Sequence, residues 1–285
     1  MPIDPEVAIG ADAGEVRFAW TPADVQLYHL AVGAGADPVD PRELRYTYER
    51  DLQVLPTFAT VAANLRTFEP PAVSYPGIEI DLAKVVHGTQ AVTVHRPIPT
   101  SGEAVARTRV VDVLDKGKAA VVISETVATG ADGPLWTLTS SIFARGEGGF
   151  GGRRGESERV PPPDREPDLV LDTPTLPQQA LLYRLCGDRN PLHVDPDFAR
   201  TAGFETPILH GLCTYGMVAK AVTDAVLDGD TAKVGSWSAR FAGIVLPGEP
   251  LRTHVWHEDG RYVVHTTAPA REDALVLSDA VLTPA

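Results

Sequence analysis

The chain of 285 residues is 44% hydrophobic and 22% charged, which is typical of a globular protein with a substantial core. Its net charge of −13 argues against nucleic acid or an anionic membrane as the main partner, although a local arginine patch is compatible with an anionic small ligand. The two cysteines, Cys186 and Cys213, are too few for a disulfide framework, and a reducing cytoplasm is the expected compartment.

The N-terminal stretch and the first half of the chain predict a helix-then-strand series. The start, "MPIDPEVAIG", lacks a basic region and a long apolar run, so we expect no signal peptide. No later stretch approaches the roughly 20 apolar residues of a membrane span. Helices are expected near 21–33 and 56–67, and strands near 78–95, 103–115, 118–129 and 134–145.

A segment rich in Gly, Arg and Pro interrupts the chain at its middle. Residues 146–167 read "GEGGFGGRRGESERVPPPDREP" and show no apolar periodicity, which predicts a linker. The flanking segments, 1–145 and 168–285, each have the size of an ordinary domain.

The second half predicts three helices followed by four strands. "TLPQQALLYRLCG" opens at a candidate N-cap, Thr175, and ends at Gly187, and "DPDFARTAG" is capped by Asp195 and ends at Gly203. A longer helix, "HGLCTYGMVAKAVTDAVLDG", carries one apolar stripe. The strands are "VGSWSARFAGIVL", "PLRTHVWHE", "RYVVHTTAP" and "ALVLSDAVL".

Three short matches between the halves occur in the same order. "LYHLAVG" matches "LYRLCGD", "TFATVAA" matches "TYGMVAK", and "SGEAV" resembles "PGEPL". Ordered self-similarity of this kind indicates an internal duplication. We therefore predict an α+β architecture in which two antiparallel sheets are each wrapped around a central helix.

One polar turn concentrates groups that can handle protons. "GDRNPLH" places Asp188, Asn190 and His193 within six positions, where a predicted helix ends. "ILHG" then opens the next helix, whose first amides, including that of Gly211, have no intrahelical acceptor. An acid/base pair beside an oxyanion donor suits proton abstraction next to a carbonyl, or addition of water across a conjugated double bond.

Structural interpretations of the same residues remain open at this point. Asp188 and Asn190 are suited to satisfying backbone groups at a turn, and Asp195 is suited to capping a helix. No further His or Cys stands at a helical metal spacing, so no metal site is predicted. The aligned positions in the first half, Gly33, Gly35 and Pro38, lack the polar groups, which favours catalysis over a general capping role.

The stretch "YRLCGDRNPLHVDPDFARTAGFETPILHGLCTYG" resembles the hydratase 2 signature of the MaoC-like family of (R)-specific enoyl-CoA hydratases. The segments "LPTF", "KVVHG", "VDVLDKG", "GGFGG" and "RFAGIVLPGE" extend the likeness over nearly the whole chain, to the two-domain hydratase unit of type 2 peroxisomal multifunctional enzymes. The resemblance implies a double hot-dog fold with a noncatalytic first domain. It implies reversible hydration of trans-2-enoyl-CoA to (3R)-3-hydroxyacyl-CoA, in fatty acyl or steroid side-chain β-oxidation.

The family's residue roles carry over where the residues match. Asp188 and His193 would hold the water, Asn190 would position it, and Gly211 would donate its amide to the thioester oxygen. Matching protic positions, expected to contact substrate, are Tyr183, Asp195, His210, Glu49 and His87. Cations expected to meet the phosphates of coenzyme A are Arg184, Arg189, Arg153 and Arg154. Coenzyme A would serve as substrate carrier, and no metal or redox cofactor is expected.

Other functions and partners remain to be distinguished. A hot-dog thioesterase would use a carboxylate and water at the same thioester, and a dehydratase would act on chains bound to acyl carrier protein. A noncatalytic acyl-CoA-binding subunit is disfavoured by the intact polar turn. Whole chains are expected to pair as a homodimer, and the acyl group cannot be read from the sequence.

Overall fold

Helices and strands follow one another in two similar series. The computed structural model describes residues 3–71, 73–80, 84–156 and 159–285. The first series comprises α1 (Pro5–Ala8), β1 (Asp12–Trp20), α2 (Pro22–Ala31), α3 (Pro41–Thr47), α4 (Ala59–Ala62), β2 (Val73–Tyr75), β3 (Ile78–Ile80), β4 (Val85–Val94), β5 (Gly102–Asp115), β6 (Ala119–Gly130) and β7 (Gly133–Arg145). The second comprises β8 (Leu169–Thr173), α5 (Gln179–Tyr183), α6 (Pro196–Thr201), α7 (Gly211–Leu227), β9 (Val234–Phe241), β10 (Leu251–Glu258), β11 (Arg261–Ala268) and β12 (Ala274–Pro284).

Ten of these strands form one antiparallel sheet within the described ranges. Their order is β1-β5-β6-β7-β4-β9-β12-β11-β10-β8. Counted from its outer edge, the first half runs β1-β5-β6-β7-β4 and the second runs β8-β10-β11-β12-β9. The halves thus repeat one strand topology, in agreement with the repeats in the sequence.

The two predicted sheets meet edge to edge. β4 pairs with β9 in antiparallel register, from Thr89 opposite Arg240 to Thr93 opposite Ser236. This pairing gives each inner edge strand a hydrogen-bonding partner that a separate sheet would lack. It also fixes the first half beside the second, so that side chains of both can line one cavity.

The helix predicted from "HGLCTYGMVAKAVTDAVLDG" is α7, the central helix of the second half. Most of its length is buried, and Tyr215 donates its hydroxyl to the carbonyl oxygen of Trp237 in β9 at 2.8 Å. On another face it approaches α2 closely, since a Cβ added at Gly216 would lie 2.6 Å from the hydroxyl oxygen of Tyr28. The apolar periodicity therefore predicted the helix, whereas the structure buries more than the one predicted stripe, including Cys213, Met217 and Val218.

The equivalent helix in the first half is much shorter than the predicted range 56–67. A 3-10 turn at Pro56–Phe58 leads into α4, which has four residues. Beyond α4 the chain continues in tight turns, with the amide of Asn64 bonded to Val61 and that of Thr67 bonded to Asn64. The β-branched residues of this stretch favour helix weakly, and Thr60 turns its hydroxyl back to the carbonyl of Thr57.

Several elements were not predicted, and one predicted cap is wrong. β1 and β8 are edge strands with mostly exposed side chains, so neither carries an alternating pattern. α3 was missed as well. Thr175 does not cap α5, because its hydroxyl is buried and donates to the carbonyl of Glu249. The predicted strand near 78–95 includes residues 81–83, and the predicted linker includes 157 and 158; these five positions lie outside the described residues.

Gly187 sets the contact between the turn after α5 and the first half. Its φ is +107°, and an added Cβ would lie 1.9 Å from the carbonyl oxygen of Asn64. We expect Gly187→Ala to lower the free energy of unfolding by roughly 3 kcal/mol or more, because a left-handed backbone and a backbone clash add together. Thermal or denaturant unfolding measures the loss.

A matched control separates the two contributions. Gly203 also has a positive φ, +89°, but nothing lies within 4 Å of its added Cβ. Gly203→Ala should therefore cost about 1 kcal/mol. Equal losses in the two variants would contradict the importance of the Asn64 contact.

His29 is buried and uses both ring nitrogens as a neutral side chain. Its Nδ1 lies 2.7 Å from the carbonyl oxygen of Tyr46, and its Nε2 accepts the amide of Leu55 at 3.2 Å. Burial lowers its pKa to about 4. Between about 4 and 6.5 the unfolded chain therefore binds a proton that the folded chain does not, and stability falls as the pH falls through this window.

We expect His29→Gln to reduce that acid dependence. The free energy of unfolding should be measured from pH 7 to pH 4 in both proteins. Its slope against pH should correspond to about one proton fewer in the variant than in the wild type. The two proteins should have equal slopes between pH 7 and 8. An unchanged slope below pH 6.5 would show that His29 is protonated in the folded protein.

Candidate active site

The turn between α5 and α6 carries three of the predicted catalytic residues. Gly187 ends the preceding helical turn in the left-handed region. Asn190 then caps a single 3-10 turn, Pro191–His193, and its side-chain oxygen accepts the amide of Leu192 at 3.0 Å. Proline suits the first position because its φ is fixed and it has no N–H to satisfy. The turn is therefore a rigid platform for the side chains on it.

Asp188 and Asn190 bond to the backbone and also line a cleft. Asp188 accepts the amide of Asn190 on its Oδ1 at 3.1 Å. Both side chains belong to the lining of the cavity that lies between the halves. This geometry is compatible with both the capping and the catalytic interpretation. The kinetics of substituted enzymes distinguish the two.

The imidazole of His193 is held in one tautomer. Its Nδ1 lies 2.9 Å from the carbonyl oxygen of Ile208, which can only accept, so Nδ1 carries the proton. In the neutral ring, Nε2 is then free to accept a proton. Burial lowers the pKa of His193, with the charge of Arg184 acting in the same direction and that of Asp188 opposing it. The neutral form therefore dominates at neutral pH.

Two further predicted residues pack behind His193, with His210 stacked on it and Tyr183 tilted against His210. The ring of His210 lies 3.8 Å from that of His193, centroid to centroid, and the ring of Tyr183 lies 4.9 Å from that of His210. Burial, followed by the proximity of His193, lowers the pKa of His210 well below its usual value. The Nδ1 of His210 and the hydroxyl of Tyr183 are buried without a hydrogen-bond partner among the described residues. Neutral rings, those of His210 and Tyr183, thus pack behind His193.

Gly211 brings a helix N-terminus to the cleft. It is the first residue of α7, so its amide has no intrahelical acceptor and lies at the positive end of the helix dipole. A Cβ at this position would lie 3.1 Å from two ring carbons of Phe241. The glycine therefore leaves space in the cleft beside its own amide.

The cleft has a volume of ≈ 420 Å³ and receives side chains from both halves. Asp188, Asn190, His193 and Gly211 line it together, which brings the whole predicted catalytic set to one cavity. Its apolar lining in the second half includes Phe204, Ile208, Leu209, Phe241, Val245 and Val276. The first half contributes Pro71, Val85, Val86, His87, Ile142 and Arg145.

His87 reaches the cleft from β4, beside the junction of the two halves. Its ring lies 4.7 Å from that of Phe241. Burial lowers the pKa of His87 to about 4, and its Nε2 has no hydrogen-bond partner among the described residues. The sequence prediction that His87 belongs to the site is consistent with this position.

Asp195 and Glu49 lie outside the cleft lining, and their contact with substrate stays a prediction. Asp195 caps α6, accepting the amides of Asp197 and Phe198 on one carboxylate oxygen. The exposed carboxylate of Glu49 accepts the side-chain amide of Gln26 at 3.3 Å. Capping explains the acid at position 195.

The predicted arginines occupy different surroundings. Arg184 is half-buried behind the turn, and Arg153 is paired with Asp112. The backbone carbonyl of Arg154 accepts a hydrogen bond from Lys116, and Arg154 is not among the residues that line the cleft. Sequence reasoning did not select Arg145, the arginine in the cleft lining, because only its position at the end of β7 brings it there.

Three ligand-type side chains converge in this site. Atoms of Asp188, His193 and His210 able to bind a metal ion lie within 4.8 Å of one another. Metal spacing along a helix does not detect this group, because His210 comes from a separate segment of the chain. The same three residues can equally act as a proton-handling cluster.

The assembled groups can exchange protons with a bound water beside a polarised carbonyl. A carboxylate and a bare imidazole nitrogen provide the acid/base pair, and a helix-terminal amide provides an oxyanion donor. No helix in the described part of the chain is both long and apolar enough to cross a membrane.

Family models match both halves of the chain. Residues 18–146 match the MFE-2 hydratase 2 N-terminal domain, and residues 158–274 match the MaoC like domain. Enoyl-CoA hydratase ChsH3 of Mycobacterium tuberculosis is 57% identical over 286 residues, covering 100% of both chains.

Solved structures agree on the fold. A MaoC-like dehydratase from Phytophthora capsici superposes with a TM-score of 0.90 at 28% identity, covering 99% of this chain and 98% of that one. A conserved Mycobacterium tuberculosis protein with a double hotdog fold has a TM-score of 0.58 at 15% identity, covering 99% and 98%. The predicted double hot-dog architecture is confirmed.

Proposed function

The chain belongs to the MaoC-like family, with a first half of the hydratase 2 N-terminal type, and we propose that it is an (R)-specific enoyl-CoA hydratase. It is a hydro-lyase that adds water reversibly to a trans-2-enoyl-CoA and gives a (3R)-3-hydroxyacyl-CoA. One observation carries the proposal. Asp188 and the bare Nε2 of His193 come from one turn, the amide of Gly211 comes from a separate segment, and all three residues line one cleft.

The proposed mechanism transfers one proton through the enzyme. A water molecule lies between the Asp188 carboxylate and Nε2 of His193. As its oxygen bonds to C3, His193 takes one of its protons, and negative charge moves from the double bond to the thioester oxygen. The Gly211 amide stabilises that charge, and the proton on His193 is then delivered to C2. The reverse sequence expels water.

Neighbouring residues hold the pair in place. Asn190 fixes the turn that carries Asp188, and the carbonyl of Ile208 fixes the His193 tautomer. His210 and Tyr183 back the imidazole, and their burial excludes water from its far side. Burial lowers the pKa of His193 from its ordinary value of about 6.5. The imidazole therefore stays neutral, and able to act as a base, at a pH somewhat below 6.5.

The proposed chemistry requires no metal or redox cofactor. Water adds to a double bond already polarised by the thioester, through proton transfers alone. Coenzyme A takes part as the carrier of the acyl group. We propose a single active site per chain, because Gly33 and Gly35 stand where the second half has Asp188 and Asn190.

We further propose a cytoplasmic enzyme that pairs as a homodimer. Cys186 and Cys213 are both buried free thiols, as expected of a protein from a reducing compartment. The mass of the protein in solution tests the pairing. The apolar cleft lining suits an acyl chain in fatty acyl or steroid side-chain β-oxidation, and rates on a graded panel of enoyl-CoA thioesters would select the class.

Simultaneous measurement of hydration and thiol release tests the reaction type. With a trans-2-enoyl-CoA, the conjugated absorbance should fall while no free thiol appears. Release of thiol in step with substrate loss would identify a thioesterase and contradict the proposal. Turnover restricted to chains on acyl carrier protein would identify the alternative dehydratase.

A further inference from the structure

An exposed aromatic side chain and a guanidinium are stacked at the surface beside the cleft. Three-quarters of Phe68 is exposed to solvent. The guanidinium carbon of Arg189 lies 5.3 Å from the centroid of the Phe68 ring. The Nε of Arg189 donates to the carbonyl oxygen of Thr67 at 3.4 Å, and this bond leaves its two terminal nitrogens available.

The position of the Phe68–Arg189 pair ties it to the catalytic cavity. Arg189 stands between Asp188 and Asn190, which both line the cleft. Phe68 stands three residues before Pro71, which lines it from the first half. Phe68 and Arg189 do not themselves line the cleft, and their contact joins the two halves directly beside residues that do.

We propose that the Phe68–Arg189 pair binds the adenine nucleotide end of the substrate's coenzyme A. This inference rests on the proposed function. An exposed aromatic face stacks on a purine base, and a guanidinium with free terminal nitrogens bonds a phosphate in a fork. A chain of net charge −13 repels a polyanionic carrier, so a local cation beside the cleft matters more here than in a basic protein.

Other arginines fit this role less well. Arg153 is engaged with Asp112, and the Nε of Arg184 is buried. Arg145 lines the cleft from the wall formed by the first half, so it is the alternative anchor for the nucleotide. Comparing variants of Arg145 with variants of the Phe68–Arg189 pair therefore shows which of the two binds the nucleotide.

Two substrates that differ only in the nucleotide isolate the proposed contact. Crotonyl-CoA carries the adenine nucleotide, whereas crotonyl-pantetheine lacks it and keeps the same reacting atoms. Phe68→Ala should lower kcat/KM for crotonyl-CoA by roughly 5- to 100-fold, the range expected for loss of one stacked base. The change should lie in KM, with kcat kept, and the kinetics on crotonyl-pantetheine should be unchanged. Arg189→Gln should show the same selective loss.

Two control variants show whether a loss of activity is specific to the Phe68–Arg189 pair. Tyr48→Ala and Arg42→Gln change an exposed aromatic and an exposed arginine outside the cleft lining, and should alter neither substrate's kinetics. Equal losses on both substrates, no loss on crotonyl-CoA, or loss of the carrier preference in Arg145→Gln instead would each overturn the inference. A wild-type protein that hydrates neither thioester would overturn the proposed function itself.

Discussion

Asp188→Asn is expected to lower the turnover of trans-2-enoyl-CoA hydration by about 10²–10⁴-fold while the protein stays folded. The replacement removes the ionisable carboxylate that we propose holds the water. It keeps a side-chain oxygen able to accept the amide of Asn190, the backbone bond that Asp188 makes. The cause of the loss would therefore be chemical rather than structural.

The measurement pairs the rate of loss of enoyl absorbance with a thermal melt of each variant. A catalytic role predicts a large fall in turnover with a stability change within about 0.5 kcal/mol. A capping role alone predicts that turnover and stability are both kept, because the asparagine oxygen still accepts the amide of Asn190. Asp197→Asn, the same change at a largely exposed site paired with Arg200, should leave both unaffected.

His193→Asn is expected to reduce turnover by a similar factor, about 10²–10⁴. The asparagine amide can replace Nδ1 as donor to the carbonyl of Ile208, but no basic nitrogen replaces Nε2. Rates should fall at every pH, whereas the melting temperature should change little. His95→Asn, at an exposed histidine outside the cleft lining, is the matched control.

Combining the two changes tests whether Asp188 and His193 act on the same water. Groups that act as a unit are not additive, so the double variant should be little slower than the slower single variant. Multiplication of the two losses would indicate that the residues act in separate steps. A His193→Asn enzyme with nearly wild-type turnover would remove His193 from the mechanism.

Local patterns were sufficient to predict the central features of the second half. The apolar stripe of α7 and the β-type runs that follow it are short-range signals, and each yields the predicted helix or strand. Asp188, Asn190 and His193 are close in sequence, so one turn brings them together. Gly211 follows from helix geometry, because any helix start exposes its first amides.

Long-range contacts determined what could not be predicted. Arg145 lies at the end of β7 in the first half, and it lines the cleft because the β4–β9 pairing sets the two halves side by side. No residue spacing in the sequence indicates that pairing. His87 was identified through the family resemblance alone, and the junction explains its position. The metal-ligand geometry of His210 with Asp188 and His193 likewise depends on two separate segments meeting.

Edge positions and tertiary competition explain the remaining errors. β1 lies at the sheet edge with few buried side chains, so it has no alternation to detect. The helix predicted at 56–67 ends at Ala62, and Arg66, inside the predicted range, donates two hydrogen bonds from its guanidinium to Asp24 in α2. Glu49, chosen from a family position, is exposed outside the cleft lining, and its contact with substrate stays a prediction.

The configuration of the hydration product tests the central claim most directly. Purified protein is incubated with a trans-2-enoyl-CoA, and the product is offered separately to dehydrogenases specific for (3R)- and (3S)-3-hydroxyacyl-CoA. We predict oxidation by the (3R)-specific enzyme alone. A (3S) or racemic product, or no hydrated product at all, would contradict the assignment of this cleft as an (R)-specific hydratase site.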